Sequence, residues 1–216
     1  MALERVQQST TADSALRAVR NAILDGSFPA GSQLRETQIA AELGISRAPL
    51  REALHRLEQE SLVERIPYRG AYVAEVSSRT AIEIASLRTM LEPYAVERAL
   101  PALAGPDGLA ELVEAVETLG SRTDEGDRAG SIEAHLAVHR ALYRASGNQV
   151  LLEAWNSWES QLRLFFAFDH QAFPELSNLA ESHRALLVTI QSGDIRKIRH
   201  EIARHIHPIL TEEASQ

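Results

Sequence analysis

The chain has no cysteine, which removes disulfide frameworks, thiolate metal ligands and cysteine nucleophiles together. No apolar stretch follows a basic start, and the longest apolar run, Leu164–Phe168, is far too short to cross a bilayer. A soluble, cytoplasmic protein without a membrane partner is expected. Lysine is nearly absent as well: of the 22 basic residues only Lys197 is not arginine. Internal repeats, low-complexity tracts, a serine elbow and a glycine-rich phosphate loop are all missing. The net charge of −8 at first argues against nucleic acid. It is unevenly placed, however: up to Val76 there are ten acidic and nine basic side chains, so nearly all the excess lies beyond. An acidic second half does not forbid DNA binding by a near-neutral first half with clustered arginines. It does imply weak non-specific binding with strong salt dependence. At 216 residues two compact domains fit, each able to bury a core.

What the chain does have is concentrated in Leu34–Val76. Thr37–Leu43 carries apolar residues at helical spacing and stops at Gly44, a residue suited to the left-handed conformation that ends a helix. Ile45 is an apolar plug for the turn. Ser46 is placed to cap a second helix, with Pro49 tolerated in its first turn. Ala53, Leu54 and Leu57 form that helix's buried face, leaving Arg47, Arg51 and Arg56 for solvent or nucleic acid. Leu62–Ile66 and Ala71–Val76 read as strands around Pro67-Tyr68-Arg69-Gly70, a hairpin wing. Helix, turn, helix and wing together are the plan of a winged helix-turn-helix. Its second helix enters the major groove N-terminus first, which places Arg47 and Arg51 to bond guanine or clamp phosphate. Arg69 and the backbone of Gly70 can approach phosphate or the minor groove. The bland alternative is a helical domain whose arginines pair with Glu52, Glu58 and Glu60.

SRAPLREALHRLEQESLV followed by RGAYV closely resembles the DNA-binding domain of GntR-family bacterial transcription regulators. The resemblance runs from about Ser14 to Val76 and takes in a preceding helix, Ala15–Asp25, with the turn Gly26–Gly31. It implies DNA contacts at Arg35, Arg47, Arg51 and Gly70.

Residues 1–76 are therefore expected to form the winged domain and 77–216 a second domain, the whole being mainly α. Beyond Ser77 no strand-like alternation occurs. Helical patterns follow one another at Thr80–Leu100, Gly108–Arg122, Ala129–Ala145, Val150–Phe168, Pro174–Ser192 and Asp194–Thr211, with breaks at Pro101, Gly105-Pro106, Gly126, Ser146-Gly147-Asn148, Phe173-Pro174 and Gly193. This is the pattern of an all-α antiparallel bundle. His135 and His139, four apart on one helix, share a face. His183 and His205 lie on later helices, and imidazoles on adjacent inward faces can close on a divalent metal. Spacing alone only suggests this, since such His pairs are commonly incidental.

The second domain is similar to the FCD effector-binding domain of the FadR branch of the same family. The supporting segments are Ser86–Pro93, His139–Leu142 leading to Ser146-Gly147-Asn148, Glu181–Leu186, and His205. In that family an Asp and three His commonly hold a metal, and the metal with nearby polar groups binds a small carboxylate effector. The histidines map onto His139, His183 and His205, whereas the Asp position is His135 here. An all-nitrogen site is less negative by one charge and suits Zn, Ni or Cu better than Mn or Mg. The other reading is a weakened site whose pocket takes its effector directly. Glu133 faces elsewhere. Arg88 resembles the family's effector arginine; its bland reading is a pair with Glu92. Arg163 and Asn148 are further effector candidates, although Asn148 can equally cap a helix. Trp155, Trp158, Phe165, Phe166 and Phe168 read as core or dimer contact, and His55, His170, His200 and His207 as ordinary histidines.

An enzyme is not expected. His200 and His205 are five apart and diverge on a helix, whereas a zinc-protease pair needs four, and no paired Glu-x-x-His motifs of a di-iron bundle occur. The expectation is a metabolite-responsive regulator, of repressor type, acting as a homodimer on a palindromic operator. A third reading is a DNA-binding module without effector control.

Overall fold

The structure, a computed structural model, describes residues 10–105, 108–168 and 176–210, the side chains of 176, 177 and 207–210 excepted. His170 and the break at Phe173-Pro174 lie outside the described residues, as does the side chain of His207. The chain divides after Glu75 into two compact units.

The first unit opens with α1, Thr11–Leu24. Thr10 starts it with a reciprocal cap: its hydroxyl accepts the Asp13 N–H at 3.1 Å, and its own N–H donates to Asp13 at 2.8 Å. Leu16, Val19, Ile23 and Leu24 are buried on α1. α1 packs on α3, Arg47–Gln59, whose buried face is Leu50, Ala53, Leu54 and Leu57. Between them lie β1, Gln33–Leu34, and α2, Glu36–Glu42. Gly44 has φ 65°, a turn that costs a side-chain-bearing residue more than glycine, and the half-buried Ile45 bonds back to Ala40 O at 3.0 Å.

Ser46 stands at the N-cap of α3, yet its side chain makes no capping bond. The cap hydroxyl normally takes the second or third helical N–H, and the third residue here is Pro49, which has none. The two features read separately as helix-start signals thus compete. The wing is β2, Val63–Ile66, and β3, Gly70–Val73, antiparallel with Val63 opposite Val73 and Ile66 opposite Gly70. β1 adds to the far side of β3, giving the order β1-β3-β2. Two residues carry no alternation, so β1 leaves no strand signal in the sequence.

The second unit is helical: α4 Ser78–Leu103, α5 Ala110–Asp124, α6 Arg128–Ala145, α7 Gln149–Phe168, α8 Leu176–Gln191 and α9 Ile195–Leu210. The break expected at Pro101 is absent. Proline frees only one upstream carbonyl, and the helix still closes beyond it, Ala104 N–H bonding Leu100 O at 3.0 Å. Ser77 caps α4 through Thr80 N and Asp127 caps α6 through Gly130 N. α4 packs on α6, α7 and α9, α5 on α6 and α8, and α8 on α9. This brings inward faces of α4, α6, α8 and α9 to one region of the core. No described helix is long and apolar enough to cross a membrane.

Candidate functional site

Two sets of side chains, one in each unit, have the chemistry of a site. In the helical unit, the four-residue interval on α6 stacks His135 and His139 on its inward face, α8 brings His183 and α9 brings His205. Their ligating nitrogens all lie within 4.8 Å of one another. The Nε2 atoms run in a chain: His135 to His139 3.1 Å, His139 to His183 3.4 Å, His183 to His205 3.1 Å.

The other ring nitrogens fix the tautomers. His183 Nδ1 is 2.7 Å from Leu179 O, and a carbonyl only accepts, so Nδ1 carries the hydrogen and Nε2 a lone pair. His139 Nδ1 faces Glu92 Oε2 at 3.1 Å, so it too turns a bare Nε2 inward. Two lone pairs 3.4 Å apart repel unless something positive lies between them. Burial lowers the pKa of all four imidazoles, His183 to about 3, and each ring also feels the positive charge of Arg88. They are therefore neutral, the form that ligates metals. For Zn–N bonds of 2.0–2.1 Å a tetrahedron has edges of about 3.3 Å, close to the three measured separations. The four histidines thus fit a divalent transition metal, and Glu92 on His139 is the hydrogen-bonded carboxylate that commonly orients a ligating imidazole.

Arg88 makes the ion pair with Glu92 that its spacing allows. Its Nε donates to Glu92 Oε1 at 2.6 Å, with the two side chains 1% and 0% exposed. Burial alone would raise the Glu92 carboxyl, but Arg88 and His139 outweigh it and hold it down at about 2. Arg88 Nη2, however, is buried without a hydrogen-bond partner among the described residues, and the guanidinium lies 5.5 Å from the Trp155 ring centre. Tyr143, one helical turn beyond His139, also has a buried hydroxyl without a partner among the described residues, and burial pushes its pKa up so that it stays a donor. A buried donor left unpaired costs about 1–3 kcal/mol, a cost that an acceptor near it would remove.

Asn148 and Arg163, expected as further effector contacts, are engaged elsewhere. Asn148 Oδ1 accepts the N–H groups of Val150 (3.1 Å) and Leu151 (3.3 Å), which is helix capping. Arg163 forks between Glu133 (2.7 Å) and Glu159 (2.9 Å). Glu133, so paired, is not part of the histidine cluster. Trp155 is core, its indole N–H donating to Glu159 at 2.7 Å.

In the first unit, Arg47 and Arg51 project from the N-terminal half of α3, 54% and 56% exposed. They share one acceptor, Glu36 Oε2, at 3.1 and 2.7 Å. Glu58 and Glu60, weighed as arginine partners, pair with other arginines, Arg65 and Arg20, and Arg56 pairs with Asp13. Arg35 is exposed at the N-cap of α2. At the wing tip Arg69 is exposed, its carbonyl held by Gln33 Nε2 at 2.8 Å, and Gly70 has φ 102°. Tyr68 beside them is fully exposed with φ 64°, an aromatic aimed outward that the sequence reading passed over.

Comparison with known proteins agrees with this architecture. The gntR family of bacterial regulatory proteins matches residues 11–73, and the FCD domain matches residues 83–208. The chain is 29% identical over 211 residues to a probable D-xylose utilization operon transcriptional repressor of Paenarthrobacter nicotinovorans, covering 98% of this chain and 92% of that protein. It is 31% identical over 182 residues to the HTH-type transcriptional regulator McbR of Escherichia coli, covering 82% and 81%. The solved structure of E. coli McbR/YncC superposes with a TM-score of 0.67 at 25% identity, over 96% of this chain and all of that one. These relatives are transcription regulators and not enzymes. A winged reading head, a helical second unit and matches spanning both place the chain in the gntR family, as a DNA-binding transcription regulator carrying an FCD domain.

Proposed function

We propose that the protein is a metabolite-responsive repressor whose helical unit binds a small carboxylate and whose winged unit binds a palindromic operator as a homodimer. The observation that carries the effector reading is the convergence of four neutral imidazoles, three buried and His205 half-buried, beside Arg88, whose buried Nη2 has no hydrogen-bond partner among the described residues. His135, His139, His183 and His205 would hold a divalent metal, Zn or Ni by the all-nitrogen donor set. Bound there, the metal would act as a Lewis acid toward a carboxylate oxygen. Arg88 Nη2 and the Tyr143 hydroxyl would donate to the remaining acceptors, while Glu92 keeps Arg88 and His139 in place. A sugar acid, hydroxy acid or dicarboxylate has the required groups. The relative named as a D-xylose operon repressor supports the repressor reading.

On the winged unit, Arg47 and Arg51 would enter the major groove, with Arg35 on the flanking phosphates and Arg69, Gly70 and Tyr68 at the wing's backbone contact. A two-fold operator requires two reading heads. Leu87, Met90 and Tyr94 form an exposed apolar stripe along α4, which pairing with a second copy would cover. Acting on the chromosome, the protein would work in the cytoplasm. The test is to select operator DNA from a random duplex pool with Zn-loaded protein, then titrate carboxylates against the complex by fluorescence anisotropy. At least one carboxylate should change operator affinity by about 5- to 150-fold, the usual range of allosteric coupling. If none does, effector control through this site is wrong, and the protein is a constitutive DNA-binding module.

A further inference from the structure

We infer that Glu36 is the positioning residue that gives the reading helix its discrimination between operator and other DNA. The inference rests on the operator-binding reading above and concerns a side chain outside the arginine set.

One oxygen of Glu36, Oε2, accepts from Arg51 Nε at 2.7 Å and from Arg47 Nη2 at 3.1 Å. The carboxylate is itself 19% exposed, whereas both arginines are more than half exposed. Burial opposes its charge, but the hydrogen bonds from Arg51 and Arg47 prevail and lower its pKa. Its place in the first turn of α2 also favours a negative charge. Arg47 and Arg51 are four residues apart on α3, a spacing at which like charges repel. Without a shared acceptor they would splay and sample many rotamers. Glu36 draws both onto one point.

The manner of holding matters. Arg51 is gripped at Nε, which leaves its two terminal nitrogens as a fork, the shape that meets guanine O6 and N7. Holding that fork in one pose before DNA arrives lowers the ordering cost of the correct contact. The same carboxylate places a negative charge on a surface that must approach phosphates, so sequence-independent binding, which is electrostatic, is weakened. Both effects raise the ratio of operator to non-operator affinity.

The test uses the full-length protein, a duplex selected by the wild type from a random pool, and a scrambled duplex of the same composition. Glu36→Gln keeps the shape and removes the charge, whereas Glu36→Asp keeps the charge and the helix-start preference but shortens the reach. Thermal melts establish that each variant is folded. For Glu36→Gln, scrambled-duplex affinity should rise at least about threefold, its salt dependence should steepen, and the operator-to-scrambled ratio should fall at least about fivefold. For Glu36→Asp the scrambled affinity should stay put while the ratio falls by about threefold or more. If either variant keeps the wild-type ratio within about twofold, Glu36 does not position the arginines and the inference is overturned. Should the wild type itself enrich no sequence, it is the operator reading that fails.

Discussion

Arg88→Met is the substitution whose consequence follows most directly from the core of the helical unit. Arg88 and Glu92 are 1% and 0% exposed and bonded at 2.6 Å. Removing the guanidinium therefore leaves a carboxylate in the interior with His139 as its remaining partner, at 3.1 Å. Burial already works against that charge, and Arg88 is the largest influence opposing burial. Breaking a buried pair by deleting one member costs about 3–5 kcal/mol, because the other charge stays desolvated. Deleting both is far milder. Urea unfolding of metal-free protein at neutral pH, followed by far-ultraviolet circular dichroism, should therefore show Arg88→Met destabilised by about 3–5 kcal/mol. The double variant Arg88→Met/Glu92→Gln should recover at least about half of that loss, a coupling visible in the double-mutant cycle. A loss below about 1 kcal/mol for Arg88→Met, or additive losses in the cycle, would refute the buried pair as the support of this site.

Tyr143→Phe deletes a buried hydroxyl that has no partner among the described residues, so it should stabilise the free protein by up to about 1 kcal/mol while weakening the carboxylate response; a destabilised variant with full response would remove Tyr143 from the site. Arg51→Ala should weaken operator binding by at least about 1 kcal/mol and leave effector binding unchanged, as measured by anisotropy and calorimetry, and unchanged operator affinity would take Arg51 out of the interface. Metal-free protein should lose stability in mild acid. Burial holds the folded-state pKa values of His135, His183 and His205 below the ordinary imidazole value of about 6.5, that of His183 at about 3. As pH falls through 6.5 the unfolded chain therefore takes up protons that the fold refuses. Each such histidine that stays neutral contributes up to about 1.4 kcal/mol of loss between pH 7.5 and 5.5; flat stability over that interval would show that these rings are not held neutral by the fold.

The parts of the fold legible in sequence were those with a local signal. The turn at Gly44, the amphipathic α3 and the succession of long helices each announce themselves over a few residues. What escaped depended on partners distant in sequence. β1 is two residues long and exists only because β3 lies beside it. The continuation of α4 through Pro101 reflects the closure of the following turn, which a rule about proline does not reveal. At the candidate site the histidines were found by spacing and resemblance together, and Glu92 was seen only as a neighbour of Arg88. Its second oxygen reaches His139, 47 positions away, and no local pattern encodes that. Tyr143 could have been noticed, since it continues the four-residue interval of His135 and His139 along α6. Glu36 could not, because its link to Arg47 and Arg51 is made by packing of α2 on α3.

Metal content per protomer, determined by elemental mass spectrometry on untagged protein purified without chelator, tests the effector site most directly. Wild-type protein is expected to carry close to one divalent ion, Zn or Ni, and His183→Ala to lose most of it. Absence of metal from the wild type even after reconstitution, or full occupancy in His183→Ala, would contradict this expectation.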